Sequence, residues 1–160
     1  MASGGVQPVP EGVHTVVTRL VFEDATAAIA FYQRAFGAAV PFEPHKASDG
    51  TVVHSEIRIG DSAVYLTDEG EDRNGVAPRS VGGLVTAVMS LTVPDVNALW
   101  EQAVAAGCEV VYPLADQFYG DRAGRLRDPF GHQWMLSTHI EDVDRDEMDR
   151  RMQAWSEQQG

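Results

Sequence analysis

A single cysteine, Cys108, is all the chain carries in 160 residues. No intrachain disulfide can form, which fits a reducing, cytoplasmic setting. The thiol follows Gly107 with no basic residue beside it in sequence, so a partly buried structural role fits it better than that of a nucleophile. Bases are scarce too: 12 Lys and Arg against 24 Asp and Glu leave a net charge of −12. Such a field repels phosphate backbones and argues against nucleic acid as a partner. Its plainest effect is solubility. No apolar run is long enough to span a membrane, and no charged-then-apolar leader opens the chain. Met1 to Pro10 bears Gly and Pro and is expected to be loose.

What the chain does have is 44% hydrophobic content, enough for one packed domain. Thr15 to Phe22 is rich in β-branched residues and reads as a strand. Asp24 then caps a helix from Ala25 to Phe36, with Ile29, Tyr32 and Phe36 on one stripe, and Gly37 stops it. Val40 to Pro44 reads as a short edge strand interrupted by prolines. Thr51 to Ile59 and Ala63 to Thr67 flank a turn at Gly60-Asp61. From Asp68 to Gly83 the chain is acidic and glycine-bearing with almost no apolar periodicity, which marks a linker, placed at 69–85. The pattern then restarts. A strand from Thr86 to Val93 precedes a helix from Val96 to Ala106, capped by Asp95 and ended by Gly107. Glu109 to Tyr112 is a short strand stopped by Pro113. Asp128-Pro129-Phe130-Gly131 supplies the turn of a hairpin. In the strand after it, Trp134 and Leu136 share one face, and Gln133, Met135 and Ser137 the other. The tail from Asp144 reads as a helix with an apolar stripe of Met148, Met152 and Trp155.

Three landmarks recur at one offset. Asp24 and Asp95 lie 71 residues apart, Gly37 and Gly107 lie 70 apart, and Gly60 and Gly131 lie 71 apart. The spacing predicts an internal βαβββ duplication. The expected fold is α+β, a single domain over 15–142 made of two such modules, 15–68 and 86–142, with a helical tail over 143–160. Each sheet has one face covered by its helix. Two uncovered faces closing around a shared concavity would bury both and house a ligand.

These landmarks come with motifs: Ala28-Ile29-Ala30-Phe31-Tyr32 through Phe36-Gly37-Ala38, His54-Ser55-Glu56 before Gly60-Asp61, Phe118-Tyr119-Gly120-Asp121-Arg122, Asp128-Pro129-Phe130-Gly131-His132 with Trp134, and Thr138-His139-Ile140-Glu141-Asp142. Together they resemble the vicinal oxygen chelate superfamily, which includes glyoxalase I, bleomycin-resistance proteins, fosfomycin-resistance enzymes and extradiol dioxygenases. Within it, the chain looks like the PhnB-like subgroup. The resemblance implies the tandem-module fold. It also implies a divalent metal held by His, Gln or Glu on the first and last strand of each module, where it chelates two substrate oxygens. Those positions fall on Val17, Tyr65, Val88 and Met135, none of which is a usual ligand for a divalent ion. The usual metal site is therefore expected to be absent.

Attention moves to His54 and Glu56. Two apart on a strand, they share the face opposite Ile57 and Ile59. Such a pair serves as a base with its orienting carboxylate, or as two metal ligands; a buried hydrogen-bonded arrangement with Arg19 or Arg58 is the plain alternative. His132 alternates with Trp134 and reads as a turn residue. His139 lies on the concave side beyond its strand's end, and His14 and His45 read as surface residues. Tyr119 and Arg122 sit in the loop feeding the hairpin, where they would reach over a pocket mouth unless Arg122 pairs with Asp121 or Asp128.

The favoured expectation is a protein of the glyoxalase/bleomycin-resistance type that binds an aromatic or amphipathic organic molecule without a cofactor. Val17, Tyr65, Val88 and Met135 would give apolar contact, and Arg19, His54 and Glu56 polar specificity. It would sequester that molecule, or carry out metal-free chemistry with His54 or Glu56 as base. One alternative is a lyase, isomerase or oxygenase using a divalent metal at His54, Glu56 and His139. Another is an interaction protein with a vestigial pocket. A homodimer is expected, with the Met148, Met152 and Trp155 stripe packed on the second subunit.

Overall fold

The structure, a computed structural model, describes residues 6–70 and 75–159. Part of the segment expected to be loose, Met1 to Gly5, and part of the expected linker lie outside the described residues. By its contacts the chain divides into two compact units, Met1–Gly83 and Leu84–Gly160.

In the first unit β1 (Thr18–Phe22) leads to α1 (Ala25–Phe36), then β2 (His45–Lys46), β3 (Val52–Ile59) and β4 (Ser62–Asp68). The strand order is β1-β4-β3-β2, with β1 parallel to β4 and the other pairs antiparallel. In the second unit β5 (Val88–Thr92), α2 (Val96–Ala106), β6 (Glu109–Asp116), β7 (Asp121–Arg127) and β8 (Gln133–His139) repeat that plan, in the order β5-β8-β7-β6. A last helix, α3 (Arg145–Gln159), follows. The fold is α+β, two βαβββ modules with a C-terminal helix.

The duplication extends to single hydrogen bonds. The Asp24 carboxylate accepts the Ala27 N–H at 2.9 Å, and Asp95 accepts that of Ala98 at 3.1 Å, each closing the first turn of its helix. Gly37 and Gly107 end those helices at φ 65° and 118°, backbone that side-chain-bearing residues avoid. The first helical N–H also finds the last strand in each unit. Ala25 donates to Asp68 at 2.6 Å, and Val96 donates to the Thr138 hydroxyl at 2.8 Å. Asp68 accepts a second bond from Val52 at 2.7 Å, which ties β3 to the same point.

The Ile29, Tyr32 and Phe36 stripe is buried, and Tyr32 meets Phe22 edge to face with ring centroids 6.0 Å apart. Leu20, Phe22, Ile57, Val64 and Leu66 complete this core. In the second unit Leu126, Trp134 and Leu136 are its largest buried members. Gly124 lets Trp100 approach the sheet, since a Cβ there would lie 2.5 Å from the indole. At the β7–β8 turn the buried Asp128 accepts from Phe130 N–H, His132 N–H and the Trp134 indole, each at 3.0 Å. His132 is thereby a buried turn residue.

Three strand expectations need correction. The first strand begins at Thr18, not Thr15. The edge strand expected over Val40 to Pro44 forms instead at His45–Lys46, past Pro41 and Pro44, while Ala39 makes an isolated bridge to Arg58. Pro113 does not stop β6, which runs on to Asp116. The strand is at a sheet edge and Pro113 falls in a register shift between Tyr112 and Ala115, so its missing N–H breaks no ladder.

Helix α3 is anchored by Arg151, which bonds both Glu141 oxygens at 2.7 and 2.8 Å, and by Trp155, whose ring lies 5.6 Å from that of Phe118. Met152 and Trp155 remain about half exposed, at 50% and 47%. Among the described residues no helix is long and apolar enough to cross a membrane.

Candidate functional site

Strand pairing puts Arg19, Tyr65 and Glu56 side by side across β1, β4 and β3, on the sheet face opposite α1. His54 lies two residues from Glu56 on that face. Its imidazole meets the Tyr65 ring edge-on at 5.0 Å, and the Arg19 guanidinium lies over the same ring at 5.6 Å. On the other side His54 stacks with His45, its partner on β2, at 6.0 Å and 12°. Phe42 closes the cluster at 5.5 Å from His45 and 6.0 Å from His54. The result is a continuous π surface from Tyr65 to Phe42 with one cation at its end. His45 is exposed, as expected of a surface residue, yet belongs to this surface.

The electrostatics suit an uncharged ring. Burial first, then the charge of Arg19 and the neighbouring His45, hold His54 below its ordinary 6.5, with Glu56 opposing them. His54 is therefore a neutral imidazole at neutral pH, able to donate and accept one hydrogen bond or to take up a proton. Glu56 is buried, and its carboxylate accepts from Arg58 Nε at 2.5 Å. Arg58 also donates to the Gly12 carbonyl, which fastens the segment before β1. The plain alternative weighed for Glu56 is what the geometry displays: a buried carboxylate answered by Arg58.

Comparison with known proteins bears on what such a surface belongs to. The sequence model for the Glyoxalase/Bleomycin resistance protein/Dioxygenase superfamily matches residues 13–136. An uncharacterized protein of Mycobacterium tuberculosis H37Rv is 39% identical over 138 residues, covering 84% of this chain and 80% of the relative. Among solved structures, TioX from Micromonospora sp. ML1 has a TM-score of 0.63 at 27% identity, over 78% of this chain and 98% of that one. A PhnB protein from Bacillus cereus, described as a putative 3-demethylubiquinone-9 3-methyltransferase, has a TM-score of 0.60 at 19% identity over 78% and 99%. The bleomycin resistance determinant encoded on transposon Tn5 has a TM-score of 0.58 at 17% identity over 79% and 98%. The chain belongs to the glyoxalase/bleomycin resistance/dioxygenase superfamily.

A superfamily metal would be held by first-strand and last-strand residues of each module. In the first unit Tyr65 has Arg19 as its β1 neighbour, and in the second Met135 has Ser90 as its β5 neighbour. Val17 and Val88 lie two residues earlier along the same faces. Valine, arginine, tyrosine, methionine and serine make a poor donor set for a hard or borderline divalent ion. Among the described residues no three His, Cys, Asp or Glu side chains are grouped to hold one. Of the alternative ligand set, His54 is free to coordinate, whereas Glu56 is engaged by Arg58. His139 is flanked by Asp121 at 2.8 Å and Asp142 at 2.9 Å, one on each ring nitrogen, and these hydrogen bonds raise its pKa.

The remaining candidates fall within the second unit. Tyr119 lies in the β6–β7 turn against Phe118, with ring centroids 5.3 Å apart, and burial followed by the Asp121 charge pushes its hydroxyl up. Arg122 bonds Asn97 on α2 and Asp116 on β6 at 2.8 Å each, and so pairs with neither acid named from sequence. Cys108 is buried, and burial with the nearby Asp128 pushes its thiol up to about 12, far from a nucleophile's range. Sequence reasoning missed Phe42, because prolines obscured β2, and it missed Tyr112 and Arg125. Alternation along β7 was the available signal for Arg125, since Gly124 and Leu126 take the helix side.

Proposed function

We propose that the chain is a small-molecule-binding protein of the glyoxalase/bleomycin-resistance type that takes a planar aromatic or amphipathic organic ligand without the superfamily's usual metal. The Tyr65–His54–His45–Phe42 surface with Arg19 at its end carries this reading. Stacked rings offer flat apolar area, and a neutral imidazole and a guanidinium give a bound molecule its orientation. Val17 belongs to the proposed contact set of the first unit; within the second unit Val88, Met135 and Tyr119 are proposed as ligand contacts in their own right, and Arg122 only if it leaves Asp116. Sequestration needs nothing more. The depressed His54 pKa favours a second use, proton abstraction from a bound carbon acid by His54. A cytoplasmic homodimer in which α3 presents Met152 and Trp155 to a second copy is part of the proposal.

The test is titration with quinoline and naphthol while following His54 and Tyr65 ring resonances by NMR. Saturable shifts are expected, lost in Tyr65→Ala. Rings that stay unperturbed at millimolar probe would sink the reading. Elemental analysis tests the metal-free part: stoichiometric Zn, Ni, Mn or Fe lost on His54→Ala overturns it. Sedimentation of the full chain and of a Trp155→Glu variant tests the dimer.

A further inference from the structure

The second unit carries a cation that no acid among the described residues answers. Strand β7 holds Arg122, Arg125 and Arg127. Arg122 pairs with Asp116 at 2.8 Å, and Arg127 pairs with Glu109 at 3.6 Å. Arg125 has no ion pair among the described residues, although acids outnumber bases 24 to 12. Its Nε is buried and has no hydrogen-bond partner among the described residues. A buried donor left unpaired is rare in folded proteins and calls for an acceptor from somewhere.

The surroundings say what kind. Tyr112, the residue opposite on β6, lies under the guanidinium, with Cζ 5.2 Å from the ring centroid. A guanidinium is a planar fork of N–H donors whose geometry matches a carboxylate or sulfonate, and it can rest on an aromatic ring while it binds one. Met135 lies directly across on β8, and Ser90 follows on β5 in the same row. Tyr112 and Met135 are apolar surface, and Ser90 is an exposed hydroxyl. In the first unit the corresponding row holds Glu56 beside Tyr65, and there Arg58 neutralises the charge within the strand.

We propose that Arg125, supported by Tyr112, is an anion-recognition point for an amphipathic organic acid, with the anionic group on the guanidinium and the apolar body over Met135. Met135 apart, it rests on residues outside the first unit's site, so loss of the Tyr65 and His54 probe shifts with an intact naphthoate preference sinks only the earlier reading, and the reverse sinks only this one.

Calorimetric titration of the full chain with naphthoate and with the uncharged naphthamide tests it. Naphthoate should bind about tenfold or more tightly than the amide, the ratio expected of a charge-assisted bidentate contact. Arg125→Gln should remove that preference, and Arg34→Gln, a change on the exposed side of α1 outside both proposed sites, should leave it in place. Equal affinity for the two probes, no naphthoate binding at millimolar concentration, a preference that survives Arg125→Gln, or one that disappears with Arg34→Gln each overturns the assignment. If Arg125 is satisfied by water alone, its glutamine variant binds naphthoate as the parent does, which is one of those outcomes. Should Arg125→Gln not unfold cooperatively, Arg125→Lys decides. It keeps the charge and loses the fork, so a severalfold loss of naphthoate affinity is expected and an unchanged affinity overturns the proposal.

Discussion

Replacing Arg58 by methionine should destabilise the protein chiefly by stranding Glu56. The Glu56 side chain is 8% exposed and that of Arg58 25% exposed, and they meet at 2.5 Å. Removing one partner of a buried pair leaves the other charge uncompensated, at about 3–5 kcal/mol. Arg58 is a quarter exposed, so water partly takes its place and about 3 kcal/mol, the lower end, applies. The Gly12 carbonyl loses its donor as well but can turn to solvent. In a chain of this length about 3 kcal/mol lowers the melting temperature by roughly 6–12 °C. Glu56→Gln leaves a guanidinium that water reaches, and should cost about 1–2 kcal/mol. The double variant removes both charges, so its loss should fall short of the sum of the singles by about 2 kcal/mol. Thermal unfolding of the four proteins by circular dichroism near neutral pH reads the cycle. An Arg58→Met protein within about 0.5 kcal/mol of the parent, or strict additivity in the double variant, would refute the reasoning. Glu56 would then return as a candidate base or ligand.

Two further outcomes follow from the titrating groups. His54 and His139 should titrate on opposite sides of 6.5 in an NMR pH series, His54 below and His139 above. The linkage signs are opposite too. The depressed His54 contributes stability that is present above 6.5 and lost as pH falls through its folded value. The raised His139 contributes stability that is present below 6.5 and lost as pH rises through its folded value. Reversed order in the NMR series would remove the neutral imidazole from the site. Cys108, with its thiol pushed up to about 12, should be about one ten-thousandth thiolate at pH 8, against about a quarter for a free cysteine. A disulfide reagent should therefore label the native chain slowly and one thiol completely after unfolding in guanidinium; rapid labelling of the native chain would contradict the burial of that side chain.

How much of this was legible in the sequence depended on range. Asp24, Asp95, Gly37 and Gly107 act on their own helices, so their meaning can be read within four residues, and their recurrence at one offset carried the duplication. The alternation of β8 and of the second half of β3 is equally local. The misplaced elements are the edges. An edge strand is held from one side, so β2 can be two residues long and β6 can carry Pro113 through a register shift. No local pattern measures where such a strand ends. The pairing of β1 with β4 is parallel and joins residues 46 apart, Thr18 with Val64 and Arg19 with Tyr65. That register puts Arg19 beside Tyr65, two residues on from Val17, and it alone sets a cation on a ring.

The site was harder to read because charge balance is a property of rows across strands. Glu56 and Arg125 occupy matching rows of the two modules, beside Tyr65 and Met135. From sequence Glu56 drew attention, since a carboxylate two residues from a histidine suggests chemistry, while Arg125 sat unmarked among three arginines on one strand. Pairing reverses their standing. Glu56 finds Arg58 two residues away on its own strand and face, which favours a structural role. Arg125 has Arg127 at the same spacing, a like charge that cannot answer it, and Arg127 is itself taken by Glu109. A local substitution of acid for base at one end of the spacing thus separates a satisfied strand from one with an open cation. Among the described residues no acid answers Arg125, so a ligand's anion is the complement proposed for it, and the second module, whose Met135 argued against a metal, becomes the place to look for an organic acid.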